Sequence, residues 1–227
     1  MDRLQQWEAR GIRIINRPEG ILNCQRQRTV AAFAGSDLAF PETVLIDTAA
    51  VSTVRPDQLA KGEGMAGLPD LPAWLTGQRR DGAGAWVKRG DVHATEADDV
   101  VYVEGADAAR GALRRFHARG IATAAVQRHM PGTVLKFYAV RGRFFHCVAL
   151  PAGGEIPMAA VRGIDTLGRR AAEVLEVEVY GGDCVVGVNG ELTLIDLNDW
   201  PSYAPCRARA AGGIAAYLLA QATATES

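Results

Sequence analysis

Two apolar runs near the end of the chain, residues 177–186 and 191–197, flank the dipeptide Asn189-Gly190. Asn-Gly supplies the positive φ angles of a two-residue turn, so the pattern predicts an antiparallel hairpin. Such a hairpin is restrictive. It sets Asp183 on its first strand opposite Asp196 on its second, within a residue of register. Side chains alternate along a strand, so Asp196 and Asn198, two residues apart, share a face. Three oxygen-bearing side chains converge on one small region of an otherwise apolar sheet.

The remaining pattern extends this antiparallel theme. Residues 134–140 and 143–150 face each other across Arg141-Gly142 as a second hairpin. Further strands are predicted at 13–16, ending at Pro18, and at 43–46, 85–88, 99–103 and 123–127. Helical spacing covers 21–34, with Leu22, Val30 and Phe33 among its apolar positions and Gly35 as its stop, then 107–119 closed by Gly120, 166–175 and 206–222. Residues 61–84 are Gly/Pro-rich and read as loop with a short helix near 71–75. The order lacks the regular βαβ rhythm of a doubly wound sheet, so the fold class expected is α+β.

Composition narrows the function. The 227 residues are 48% hydrophobic and 22% charged, with a net charge of −1. That balance argues against a large nucleic-acid footprint, which needs a basic excess. Arg79-Arg80 and Arg114-Arg115 are short and read as solvated faces. Cys24, Cys147, Cys184 and Cys206 form no CxxC pair and no zinc spacing, and read as buried free thiols of a reducing compartment. The first residues lack the apolar run of a signal peptide, and no stretch approaches the ~20 apolar residues of a membrane span. Cytoplasmic residence without membrane association is the default expectation.

Asp183, Asp196 and Asn198 offer the oxygen donors that suit magnesium. Exposed polar positions at a strand end would look alike by spacing; Leu194, Ile195 and Trp200-Pro201 nearby favour partial burial, where an acidic cluster needs a cation. Lys88 ends the apolar run Ala85-Trp86-Val87 and suits a phosphate, or else it snorkels from a strand end. His93 follows in the adjoining loop. Gln127-Arg128-His129 leads into Met130-Pro131-Gly132, where a strand stopped by Pro-Gly leaves backbone groups free to read an adenine edge. Lys136 stands alone among Leu135, Phe137 and Tyr138, facing either solvent or phosphate.

Taken in order over about residues 14–203, these stretches resemble the ATP-grasp superfamily, nearest its inositol polyphosphate kinase branch and its glutathione-synthetase and ribosomal-protein glutamate ligase branches. Ile195-Asp196-Leu197-Asn198 with Pro201 is similar to the family's metal-binding signature, and Tyr180-Gly181-Gly182-Asp183 to the strand carrying the other metal carboxylate. Residues 126–132 resemble the interlobe hinge over adenine, Trp86-Val87-Lys88 the strand with the ATP-phosphate lysine, and Asn23-Cys24-Gln25-Arg26 the helix that brings Arg26 near the phosphates. The resemblance implies two α+β lobes with antiparallel sheets clasping the nucleotide: a remnant over 1–13, an N-terminal lobe over 14–95 and a C-terminal lobe with the metal site over 96–227. It implies ATP and magnesium as cofactors, with manganese as the alternative ion. Lys88 and Lys136 would be catalytic and hold the nucleotide with Arg26, Gln127, Arg128 and His129. Asp183, Asp196 and Asn198 would hold the metal, and His93, Arg162 and Asn198 would meet the acceptor.

Three departures stand out. The N-terminal domain that usually precedes the two lobes is largely missing from this sequence, the glycine-rich flap shrinks to residues 89–94, and Ala149-Leu150-Pro151 stands where Arg and serines are usual. The acceptor wall would then come from a homo-oligomer or another partner. The activity implied is that of a carboxylate–amine or carboxylate–thiol ligase working through an acyl phosphate on a small-molecule acceptor. Lys136 and Asp196, where those ligases usually carry arginine and glutamate, keep a hydroxyl kinase of the inositol polyphosphate type as the alternative. A third reading is an ATP-binding module without catalysis.

Overall fold

Among the described residues, strand pairing forms two four-stranded, wholly antiparallel sheets. The computed structural model describes residues 1–52, 71–76, 84–91, 96–151 and 156–224. The chain divides into a smaller unit, Gln25–Val30 with Pro41–His129, and a larger one, Met1–Cys24 with Ala31–Phe40 and Met130–Ser227.

In the smaller unit, β1 (Thr43–Asp47), β2 (Gly84–Arg89), β3 (Val100–Glu104) and β4 (Thr123–Arg128) lie in the order β1-β4-β2-β3. Strand alternation sends Ala85, Val87, Val103, Ala124, Val126 and Ile46 to one face, where they bury Ala109, Ala112, Leu113 and Phe116 of a long helix, Gly105–Ala118. Trp86, Lys88 and Gln127 alternate to the opposite face. A boundary after residue 95 would part β2 from its partners β3 and β4, and the division falls instead after His129.

In the larger unit, β5 (Thr133–Val140), β6 (Phe144–Leu150), β7 (Val179–Val186) and β8 (Leu192–Asp199) lie in the order β6-β5-β7-β8. The helix Met158–Val174 packs on one face, through Ile164, Ala171 and Ala172 against Leu135, Phe137, Tyr180, Cys184, Leu194 and Leu197. The C-terminal helix, Arg207–Ala224, covers part of the other face, where Ala210 and Tyr217 join Tyr138, Val140, Val179, Tyr203 and Cys206. At the edge strand β8, the Leu194 N–H donates to the Ala39 carbonyl at 2.9 Å, so a neighbouring segment caps the open edge there. All four cysteines are free thiols, and burial pushes the Cys147 thiol up to about 11. Among the described residues no helix is long and apolar enough to cross a membrane.

The structure departs from the local sequence pattern at four places. Residues 13–16 form no strand. Asn16 supplies strand-like bonds from its side chain instead: Oδ1 accepts from the Glu178 and Val179 N–H groups at 2.7 and 2.9 Å, and Nδ2 donates to the Val179 carbonyl at 2.7 Å. Pro18 opens a helix, Pro18–Asn23, where a fixed φ and a missing N–H cost nothing. A second helix, Arg26–Ala34, follows a break at Cys24 and Gln25. The helix expected at 166 begins at Met158. The last hairpin turns through three residues: Gly190 N–H donates to the Gly187 carbonyl at 2.9 Å and only Gly190 is left-handed, at φ 82°.

Candidate functional site

The larger sheet carries a polar row on the face that the C-terminal helix leaves partly open. Val148, Lys136, Asp183 and Asp196 are successive register partners across β6, β5, β7 and β8. One step along the strands lies the row His146, Tyr138, Gly181 and Asn198. Lys136 Nζ donates to Asp183 at 3.1 Å (Oδ1) and 3.3 Å (Oδ2). Burial lowers the Lys136 pKa, but the charge and hydrogen bond of Asp183 outweigh it, and the net direction is upward.

A bulge decides which face Asp196 takes. Asp183 pairs with Asp196 but Cys184 pairs with Leu194, so Ile195 is the extra residue. Leu194 and Leu197, three apart, consequently both enter the core under the helix Met158–Val174. With strict alternation Asp196 would follow Leu194 into that core; the bulge turns it, and Asn198 after it, onto the face that carries Asp183. Behind Asn198 the chain folds back, and a Cβ on Gly181 would meet Pro201 Cγ at 2.8 Å. Two carboxylates and an amide oxygen on half-buried backbone are hard donors in a number that magnesium accepts. Like charges directly across a strand pair repel, and Lys136 supplies the counter-charge here.

In the smaller unit Lys88 is 6% exposed and its Nζ donates to Gln127 Oε1 at 2.7 Å. On the same face Trp86 Nε1 donates to His129 Nδ1 at 3.1 Å, and Tyr102 stands edge-on to Trp86 and to His129, each at 5.3 Å between ring centroids. This aromatic group escaped the sequence reading, although Trp86 stands two residues before Lys88 and had to share its face. The strand end is less open than expected: the Arg128 N–H donates to the Glu42 carbonyl and the His129 N–H to the Gly84 carbonyl, both at 2.9 Å. The Arg128 side chain is exposed on the opposite face from Gln127. Arg26 is 8% exposed and donates to the Arg89 carbonyl at 2.9 Å, bracing the residue after Lys88.

Other candidates separate. Arg162 is exposed on the helix Met158–Val174, which packs on the face of the larger sheet away from the carboxylate row, so it does not join that row. His93 lies outside the described residues. Glu96, Asp98 and Asp99 do cluster within 4.8 Å, but Asp99, fully buried, receives Arg119 at 2.6 Å and Arg89 at 3.3 Å, and Arg119 also meets Glu96 and Asp98. Guanidinium charge answers those acids, which identifies a structural network.

The arrangement of two four-stranded antiparallel sheets with their helices is one that solved structures share. No protein-family model and no curated protein matches the sequence. The structure is similar to the ATP-grasp ligase PsnB in complex with a minimal precursor, at 17% identity and a TM-score of 0.58 over 96% of this chain and 67% of that one. PsnB is also solved with a phosphomimetic variant of that precursor, Mg and ADP, and this chain spans 65% of its length there. D-alanine–D-alanine ligase from Bacillus anthracis matches at 12% identity and a TM-score of 0.64, over 93% and 70% of the two chains. A RimK domain ATP-grasp protein from Sphaerobacter thermophilus matches at 19% identity and a TM-score of 0.60, over 96% and 77%. The chain has the ATP-grasp fold.

Proposed function

We propose that the chain is an ATP- and magnesium-dependent ligase that activates a carboxylate as its acyl phosphate and passes it to an amine or thiol. The observation that carries this reading is the row Lys136–Asp183–Asp196 with Asn198 one step away, on a fold whose solved neighbours are ligases. Asp183, Asp196 and Asn198 would hold magnesium, which supplies charge neutralisation at the phosphates. Lys136 orients Asp183 and brings a cation to the same row. Lys88 of the smaller unit serves as the phosphate ligand that the resemblance implies, with Gln127 holding its ammonium in place. An oxygen of the acceptor carboxylate attacks the terminal phosphorus and the bond to ADP breaks; the amine or thiol then attacks the acyl carbon, inorganic phosphate leaves with the electron pair, and the nucleophile gives up its proton.

Hydroxylamine tests this without knowledge of the natural nucleophile, because it captures acyl phosphates as hydroxamates. The chain is incubated with ATP, magnesium, hydroxylamine and a panel of carboxylic and amino acids. Hydroxamate together with ADP is the expected result. ADP with a phosphorylated hydroxyl and no hydroxamate would establish the kinase alternative, and nucleotide binding without ADP from any acceptor would reject both enzymes. Lys88→Ala is expected to weaken ATP binding by about 1–3 kcal/mol, roughly 5- to 150-fold, the scale of losing a charged hydrogen-bond partner. Calorimetric titration with an unreactive ATP analogue measures it; an unchanged affinity removes Lys88 from the site.

A further inference from the structure

Along the edge strand β6, Phe144, His146 and Val148 occupy consecutive rows on the same face as Lys136, Asp183 and Asp196. Val148 lies in the carboxylate row itself, His146 one row away and Phe144 two. The Arg209 guanidinium, from the first turn of the C-terminal helix, sits over the Phe144 ring at 5.6 Å, and the Phe144 and His146 rings lie 6.5 Å apart. Arg209 is exposed and meets no carboxylate among the described residues. A guanidinium held over an aromatic ring spends no hydrogen bond there and keeps its N–H donors for an oxyanion. Burial first, and the charge of Arg209 second, lower the His146 pKa, which favours the neutral imidazole, a group that hydrogen-bonds an anion without adding charge.

We propose that Arg209, Phe144 and His146 form the acceptor subsite, and that the acceptor is an acid carrying a second carboxylate, which this subsite holds while the reacting carboxylate lies at the Lys136–Asp183–Asp196 row. The identity of the reacting group rests on the ligase reading above. Charge supports the assignment. An anionic acceptor must approach two aspartates, and the single cation in their row, Lys136, is already bonded to Asp183. A second cation, over Phe144 two rows away, lowers that repulsion. Spacing supplies the size: His146 stands one row, two residues of strand or about 7 Å, from the carboxylate row, so a second carboxylate bonded at His146, with its outer oxygen toward Arg209, is within the span of an extended dicarboxylic acid of five or six carbons.

Two measurements test the subsite. In the hydroxamate assay, glutarate and adipate are compared with butyrate and valerate, which lack the second carboxylate. The dicarboxylates are expected to be preferred at least tenfold in kcat/KM. Arg209→Ala should abolish the preference through KM, leaving the KM for ATP unchanged, whereas Arg207→Ala at the neighbouring exposed arginine should keep it. Equal use of mono- and dicarboxylates, or a preference that survives Arg209→Ala, overturns the proposal. The second measurement needs no turnover. The His146 imidazole signal, assigned by its loss in His146→Gln, is followed by NMR during titration with glutarate or with uncharged glutaramide. A saturable shift with glutarate alone, weakened at least tenfold by Arg209→Ala, is expected. No response to the dicarboxylates, or the same response to glutaramide, overturns the subsite. An Arg209-dependent response to glutarate without hydroxamate from any acid sustains the subsite and rejects the ligase reading.

Discussion

Asp196→Asn is expected to weaken magnesium-dependent ATP binding by roughly 10- to 100-fold and to cut hydroxamate formation by about 10²- to 10³-fold, the range for removing one electrostatic contact to developing charge. The substitution keeps the side-chain shape, so the bulge at Ile195 and the core contacts of Leu194 and Leu197 stay in place. It also removes one of two like charges directly opposed across β7 and β8. Stability of the ligand-free protein should therefore hold or rise while the stabilisation by magnesium and nucleotide disappears, since a ligand stabilises in proportion to its differential binding. Thermal melts with and without magnesium and an ATP analogue, beside calorimetry, separate the two effects. Wild-type affinity in magnesium would reject the metal assignment, whatever the turnover.

The largest effect on stability is expected from Phe137→Ala. Phe137 has no exposed surface, stacks on Phe145 at 6.1 Å and meets Tyr180 edge-on at 6.5 Å. It also fills the space over two glycines: a Cβ on Gly168 would approach its ring at 2.8 Å, and one on Gly182 at the same distance. Truncation empties the contact between the sheet and the helix Met158–Val174, and a buried Phe→Ala change costs about 3–5 kcal/mol. For a chain of this size that corresponds to a fall in Tm of roughly 6–20 °C. Val188→Ala, at a residue 91% exposed, is the control and should move Tm by little. A loss below about 1 kcal/mol at Phe137 would mean that the core is packed differently from this structure.

The two expectations draw on opposite faces of one sheet, and their legibility in the sequence differs for that reason. Alternation along 134–140 separates Leu135, Phe137 and Ala139 from Lys136, Tyr138 and Val140, and the structure keeps that separation. The pairing of Asp183 with Asp196 was likewise readable from the hairpin, even though the turn takes three residues instead of two. Nearest-neighbour geometry sets both, so a turn signal and a period of two suffice. Contacts between distant segments were not readable. The apolar spacing of 13–16 suits a strand, but Asn16 reaches β7 through its side chain, 162 and 163 residues away in sequence. The resemblance implies Arg162 at the acceptor, while the packing of its helix on the far face removes it from the row. The pairing of β2 with β3 and β4, which draws 96–129 into the smaller unit, also joins strands whose order in space differs from their order in the chain.

By itself the sequence determined the α+β class, the antiparallel hairpins and the sharing of one face by Asp196 and Asn198, because each follows from local alternation and turn chemistry. Only the tertiary structure decided which face that is. One unpaired residue at Ile195 inverts the alternation, and it is held there because Leu194 and Leu197 both gain burial in the core beneath. The energy that aims the carboxylate comes from apolar packing on the other side of the sheet, and no count of residues along the strand contains it.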